Sequence, residues 1–237
     1  MRLGLKIRRL FFPVHRWESR CLWPDVRAGG PPKGVFSEEE GLRSGELEGH
    51  LLVRRQPCVR IPDSSELCEA RLDQDAYLDW RTLWTKREHA FLAAPSFAHI
   101  DSQGRVCQEA VFGVHGWSDP VWQRKSLRSV RKLSGNFTSL VSRWNEGQNY
   151  FHWFLDGLTR LVHLSEFPEN CRVLVPESLP PFARRSLELL ELDQRVVEIG
   201  ADDLEVEHYW FAGPTMLSGC PDPLGVGWLR ERFLHGK

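Results

Sequence analysis

The sequence predicts an α/β fold: a largely parallel sheet covered by helices, preceded by an irregular N-terminal region with a β-hairpin. Three observations predict it. From residue 134 onward, short apolar runs rich in Val, Leu, Ile and Phe alternate with segments of helical periodicity, in the order β-α-β-α-β-β-α. The links between them are short and punctuated by Pro and Gly, the pattern of crossover units that set parallel strands side by side. Hydrophobic residues make up 41% of the 237 and charged residues 27%, enough apolar material for one large domain or two small ones.

The first part, residues 1–89, carries no clear period. Its opening twenty residues hold Arg2, Lys6, Arg8, Arg9, Arg16 and Arg20 against Glu18, interleaved with Leu3, Leu5, Ile7, Leu10, Phe11 and Phe12. A basic amphipathic segment suits peripheral contact with an anionic membrane surface. It equally suits an arm packed on its own domain, which is the preferred reading. The apolar stretch Leu10–Val14 is too short for the core of a signal peptide. Residues 29–32, Gly-Gly-Pro-Pro, read as a turn or linker. Residues 37–75 mix charge, Pro and Ser and read mostly as loop. Tyr77–Arg87, with Leu78, Leu83 and two Trp, predicts a short helix.

From residue 90 the texture changes, and 90–237 reads as the second unit. Ala90–Ile100 is apolar, Asp101-Ser-Gln-Gly104 is a turn signal, and Val106–Val114 resumes β-branched and aromatic residues, so a β-hairpin is expected. Phe137–Trp144 predicts a strand and Asn149–Phe167 a helix. Arg172–Val175 predicts a short buried strand stopped at Pro176. Pro181–Leu192 predicts a helix opened by proline. Val196–Ile199 and Val206–Phe211 predict strands, closed by Gly200 and by Gly213-Pro214. Leu224–Leu234 predicts a last helix.

Composition removes several functions. Lys+Arg is 31 and Asp+Glu is 32, a net charge of −1, so no global basic excess points to nucleic acid. The local exception is Gln123–Arg143, which carries Arg124, Lys125, Arg128, Arg131, Lys132 and Arg143 with no acid. It fits a solvated loop or recognition of a phosphate. No apolar run approaches the roughly 18–20 residues that span a bilayer. The 6 cysteines, at 21, 58, 68, 107, 171 and 220, lack the close pair spacing of a zinc ribbon or thioredoxin site. Reduced thiols in a cytoplasmic protein are expected. The 10 Trp call for a substantial core or for flat ligand-stacking surfaces.

The segment Trp144–Leu161 holds most of the functional information. Phe151, Phe154, Leu155, Leu158, Leu161 and Val162 follow helical spacing and are expected to form the buried stripe. His152, Asp156, Arg160 and His163 fall on a second stripe, because residues four apart share a face. Asn149 is placed to cap the helix. His152 would then lie in the first turn, where the dipole disfavours a positive imidazole, within reach of Asp156. A neutral His so held is a usable general base. A solvent-facing hydrogen bond explains the same spacing, and spacing alone leaves both readings open. Two such ligands are too few for a metal site. Trp144 and Trp153 read as core rather than as a sugar platform.

The run Asn149-Tyr-Phe-His-Trp-Phe-Leu-Asp-Gly-Leu-Thr-Arg-Leu161 resembles the Asn-Tyr-(Tyr/Phe)-His-Trp-x-x-Asp signature of the family 61 glycosyltransferases. The strand ending in Trp144, the strands Val173–Pro176 and Val196–Ile199, and the hairpin at 90–114 are similar to that family too. The likeness covers about residues 134–237. It implies a GT-B-type glycosyltransferase fold, two Rossmann-like domains facing across a cleft, with this chain supplying the acceptor-side domain. It implies inverting transfer of a sugar from a nucleotide-sugar donor to a glycan or protein hydroxyl, without metal or further cofactor. His152 would be the base or an acceptor contact, and Asp156 would orient it or share that role. Asn149 and Tyr150 would line the cleft at the helix start, and Arg160 would add a substrate contact.

Family members continue with a nucleotide-binding domain that carries an Arg-rich strand-loop and a His-Gly-Ala-Gly-like turn. This sequence has neither motif. The expectation is therefore the N-terminal half of such an enzyme: a fragment, a truncated frame, or one component of a split protein whose donor domain sits on a separate chain. A non-catalytic carbohydrate-binding or scaffold remnant is the alternative. A nucleic-acid module built on residues 124–143 is a third reading, against which the balanced charge weighs.

Overall fold

The computed structural model describes residues 34–57, 77–111, 120–123, 127, 130–142, 148–213, 216–217 and 220–235. The basic N-terminal segment, the 29–32 turn, Trp144, and Arg124, Lys125, Arg128 and Arg143 of the basic stretch lie outside the described residues.

The chain is mixed α/β. Its main sheet has nine strands in the order β1-β5-β4-β3-β9-β6-β7-β8, with β2 also paired to β3. These are β1 (Gly34–Phe36), β2 (Gly49–Pro57), β3 (Tyr77–Ala93), β4 (Ala98–Ile100), β5 (Arg105–Cys107), β6 (Arg131–Ser139), β7 (Arg172–Pro176), β8 (Val196–Ile199) and β9 (Leu204–Ala212). A two-stranded ribbon, β10 (Met216–Leu217) with β11 (Cys220–Pro221), stands apart. The helices are α1 (Glu38–Ser44), α2 (Tyr150–His152, the first turn of a helical stretch over 150–166), α3 (Pro181–Leu189) and α4 (Pro223–His235).

The expected parallel sheet is half of what forms. β6 pairs β7 and β9 in parallel, and β7 pairs β8 in parallel. At the far edge β1 pairs β5 in parallel too. The remaining pairings are antiparallel: β2 with β3, β3 with β4 and β9, β4 with β5. Connection length sets the pairing of the β3–β4–β5 hairpins and of β6, β7 and β8. Parallel neighbours need crossovers, which the 150–166 stretch and α3 supply; tight turns at 94–97 and 101–104 permit only hairpins. The second of these is the turn read from sequence. Asp101 Oδ1 accepts from the amides of Gln103 (2.9 Å) and Arg105 (2.8 Å), and Gly104 adopts φ +79°. The first splits Ala90–Ile100, expected as one strand, into the end of β3 and β4.

Three further expectations are corrected. Tyr77–Arg87 is strand, not helix: it is rich in Tyr, Trp and Thr, and it is paired along both edges, by β2 and by β9. Part of 37–75 is regular. The Ser37 side chain caps α1 by accepting from the amide of Glu40, three Glu fill its first turn, and Gly45 ends it at φ +75°. β2 then packs so tightly that a Cβ on Gly49 would meet the Trp84 carbonyl oxygen at 2.1 Å. Residues 89 and 90 both lie within β3, and the described N-terminal elements share the main sheet with the rest. β6 begins at Arg131 rather than at Phe137, with a bulge at Gly135 (φ +105°), whose amide donates to Glu207 Oε2 at 2.7 Å.

Core residues divide between the two sheet faces. β7 feeds both: Leu174 packs with Phe137, Leu204, Tyr209 and Phe211, whereas Val173 and Val175 pack with Trp153, Leu158, Leu161, Leu187 and Leu229. The second cluster seats the 150–166 stretch, α3 and α4 on the sheet. α4 approaches closely at Gly225, where a Cβ would stand 2.7 Å from Thr159 Cβ.

Candidate functional site

The 150–166 stretch opens after an extended Asn149, whose Oδ1 accepts from the amide of His152 at 3.2 Å. This is the cap read from sequence. The pitch then changes twice. Tyr150–His152 is an α-turn, Trp153–Gly157 is π-helical, and Leu158–Glu166 is 3₁₀. Trp153 anchors the wide turn: it is fully buried, with Nε1 donating to Ser186 Oγ at 2.9 Å. Two side chains take carbonyls four residues back, Thr159 Oγ1 on Leu155 (2.7 Å) and Arg160 Nε on Asp156 (2.8 Å). Such bonds loosen the regular ladder and accompany bends and bulges.

The pitch changes rotate the faces away from a 3.6-residue wheel. Phe151, expected in the buried stripe, is 46% exposed, while Leu158 and Leu161 are buried as expected. The second stripe turns inward: Asp156, Arg160 and His163 are all buried.

His152 and Asp156 are nevertheless brought together. His152 Nδ1 lies 2.5 Å from Asp156 Oδ2. The imidazole is half-buried and the carboxylate is enclosed, with Oδ1 lacking a hydrogen-bond partner. Burial pushes the Asp156 carboxyl above its usual range, against the pull of the His152 hydrogen bond and the Arg160 charge. Asn149 and Tyr150 sit on the exposed rim, the Tyr150 ring against Phe154 (4.7 Å) and Phe182 (5.1 Å). Phe151 meets the His152 ring edge-on at 5.3 Å. Arg160 does not join that rim. It is buried behind Asp156, and desolvation lowers its affinity for the proton, opposed by Tyr209, Asp156 and Cys107. Its place is that of a positioning cation rather than a surface contact.

His163, read from sequence on the stripe of His152, is buried with Nε2 unpartnered, and desolvation, aided by His50 and opposed by Asp222, pushes its pKa down to about 4. One cluster was not singled out from sequence. Glu38, His99 and Cys107 place a carboxylate oxygen, a ring nitrogen and a sulfur within 4.8 Å of one another. Spacing rules for metal sites look for ligands a few residues apart, and these meet only through sheet pairing. An open depression of about 330 Å³ lies between α3 and β8, lined by Leu179, Arg184, Glu188 and Glu198 among others. It contains no member of the His152–Asp156 pair, and the Arg184–Glu198 ion pair (2.7 Å) forms part of its wall. The His152–Asp156 pair is therefore the better site candidate.

No family model, no curated protein and no solved structure matches the chain.

Proposed function

We propose that the chain is the acceptor-side, Rossmann-like part of an inverting GT-B-type glycosyltransferase, with His152 as its general base. The observation that carries this reading is the 2.5 Å contact between His152 Nδ1 and Asp156 Oδ2 beside exposed Tyr150 and Phe151. The sequence likeness at 149–161 supports it independently.

Asp156 accepts the Nδ1 proton, fixing the tautomer that carries its lone pair on Nε2. Nε2 takes the proton of an acceptor hydroxyl as that oxygen attacks the anomeric carbon of the donor sugar. A carbon–oxygen bond forms on one face, the bond to the nucleotide diphosphate breaks on the other, and the diphosphate leaves with the electron pair. The configuration inverts and the proton rests on His152. Asn149 and Tyr150 flank the acceptor, and Arg160 positions Asp156 through its carbonyl. The charge on the leaving diphosphate calls for cationic groups or helix N-termini on a nucleotide-binding domain or a separate chain.

The exposed aromatic rim also favours a second reading, a carbohydrate-binding remnant without chemistry. One experiment separates them: nucleoside diphosphate release is measured from a panel of nucleotide sugars with oligosaccharide acceptors. Release that falls in folded His152→Ala supports the enzyme. Glycan binding without release, unchanged in His152→Ala, supports the remnant.

A further inference from the structure

Glu38 opens α1, His99 lies in β4 and Cys107 ends β5. Pairing of Phe36 with Cys107 and of Ile100 with Val106 draws these three points together. All three residues are fully buried. His99 is packed edge-on against Phe36 (5.4 Å) and Tyr209 (5.2 Å), and neither ring nitrogen has a hydrogen-bond partner. Nδ1 stands 3.3 Å from Glu38 Oε1 without forming a hydrogen bond. Leaving such buried groups without partners is costly.

We propose that Glu38, His99 and Cys107 hold a zinc ion that staples β1 and α1 to the β4–β5 hairpin. A thiolate, an imidazole and a carboxylate suit Zn²⁺ and disfavour Mg²⁺ and Ca²⁺, which take oxygen donors. With bonds of about 2.0–2.3 Å, ligand atoms on a tetrahedral ion stand roughly 3.3–3.8 Å apart; His99 Nδ1 and Glu38 Oε1, at 3.3 Å, already have that spacing, and the Cys107 sulfur lies within 4.8 Å of the other donors. One tetrahedral position remains for a non-protein ligand.

The surroundings fit a bound cation. Arg87 donates to both Glu38 oxygens, at 3.0 and 3.2 Å, the outer support that ligating carboxylates usually have. Glu109 is held by Ser37 Oγ (2.5 Å) and by the amides of Glu38 and Glu39, with Oε2 3.4 Å from Cys107 Sγ. Binding converts the Cys107 thiol to a zinc thiolate and releases its proton to solvent. The negative charges of Glu38, Glu109 and the thiolate are then balanced by Arg87 and the divalent ion. Without the ion, a thiolate would face two carboxylates with one cation between them, and Cys107 stays protonated.

The test uses the full chain expressed in zinc-depleted, cobalt-supplemented medium, so that metal loads during folding. The expected result is about one Co²⁺ per chain, with a sulfur-to-cobalt charge-transfer band and the intense visible bands of tetrahedral coordination. Zinc should bleach the bands. Cys171→Ser, which removes a buried thiol outside the cluster, should keep them. Cys107→Ser and Glu38→Gln should lose or shift them. Wild-type chain that is folded by circular dichroism but has no stoichiometric metal overturns the proposal. So does bound cobalt with no sulfur band, a result independent of whether any variant folds.

Discussion

Protonating His163 should destabilise the folded protein over a defined pH window. The group is 8% exposed, and its pKa falls from 6.5 to about 4 because burial disfavours the imidazolium. Between these values the unfolded chain binds a proton that the folded chain refuses, so stability is complete above about pH 6.5 and falls as the pH drops towards 4. The gap is about two and a half units, or ~3.4 kcal/mol at ~1.36 kcal/mol per unit, of which about 2 kcal/mol is already lost near pH 5. Other groups titrate too. Glu38 starts under the upward push of burial but is held below its usual range by His99 and Arg87, so it loses stability only in stronger acid, while Asp156 has the opposite sign. The measurement is therefore a difference. Urea unfolding of wild type, His163→Gln and His163→Phe is followed near pH 7.5 and near pH 5, with the urea slopes compared to confirm the same transition. Wild type should lose about 2 kcal/mol more than either variant across that interval. Parallel pH curves would refute the reasoning.

At the proposed site, His152→Ala should lower turnover roughly 10²–10⁴-fold with little change in donor affinity, and Asp156→Asn should lower it less while leaving thermal stability equal or higher, because a buried charge is removed; steady-state kinetics beside thermal unfolding checks both. Gly225→Ala should destabilise by about 1–3 kcal/mol, since its Cβ would lie 2.7 Å from Thr159 Cβ, and Thr159→Ser should recover part of the loss in chemical denaturation. Asp222→Ala strips a buried carboxylate from Arg54, Thr82 Oγ1 and the amide of Leu224; with the Arg54 side chain 21% exposed, about 2–4 kcal/mol should go, little affected by salt, as read from urea midpoints at two ionic strengths.

The elements most legible in sequence are those with hard punctuation and one burial pattern. Arg172–Val175, expected to stop at Pro176, falls within the observed strand Arg172–Pro176, Val196–Ile199 matches its strand, and Pro181 opens α3 as expected. Tyr77–Arg87 misleads because its strand character comes from partners on both edges, which local pattern does not contain. The Ser37-Glu-Glu-Glu run was a readable helix start, hidden by the charge and Pro around it. At the site, the Asn149 cap and the His152–Asp156 contact follow from spacing within one turn. The burial of Arg160 and His163 does not, because the π and 3₁₀ turns that rotate them inward depend on how Trp153 is seated against Ser186. The Glu38–His99–Cys107 cluster had no local signal at all.

β9 lies at the middle of the sheet, yet it is made nearly last. Trp84 waits for Ala212 and Leu92 for Leu204, and β6 is joined to the antiparallel half through that same strand. During synthesis at about 5–20 residues per second, β3 emerges on the order of 5–20 seconds before its central partner exists. Until then the Trp84–Leu92 stretch of β3 has one edge open as a template for pairing with other chains. Among the described residues, the two halves of the main sheet meet only across β9, so the sheet closes late in synthesis.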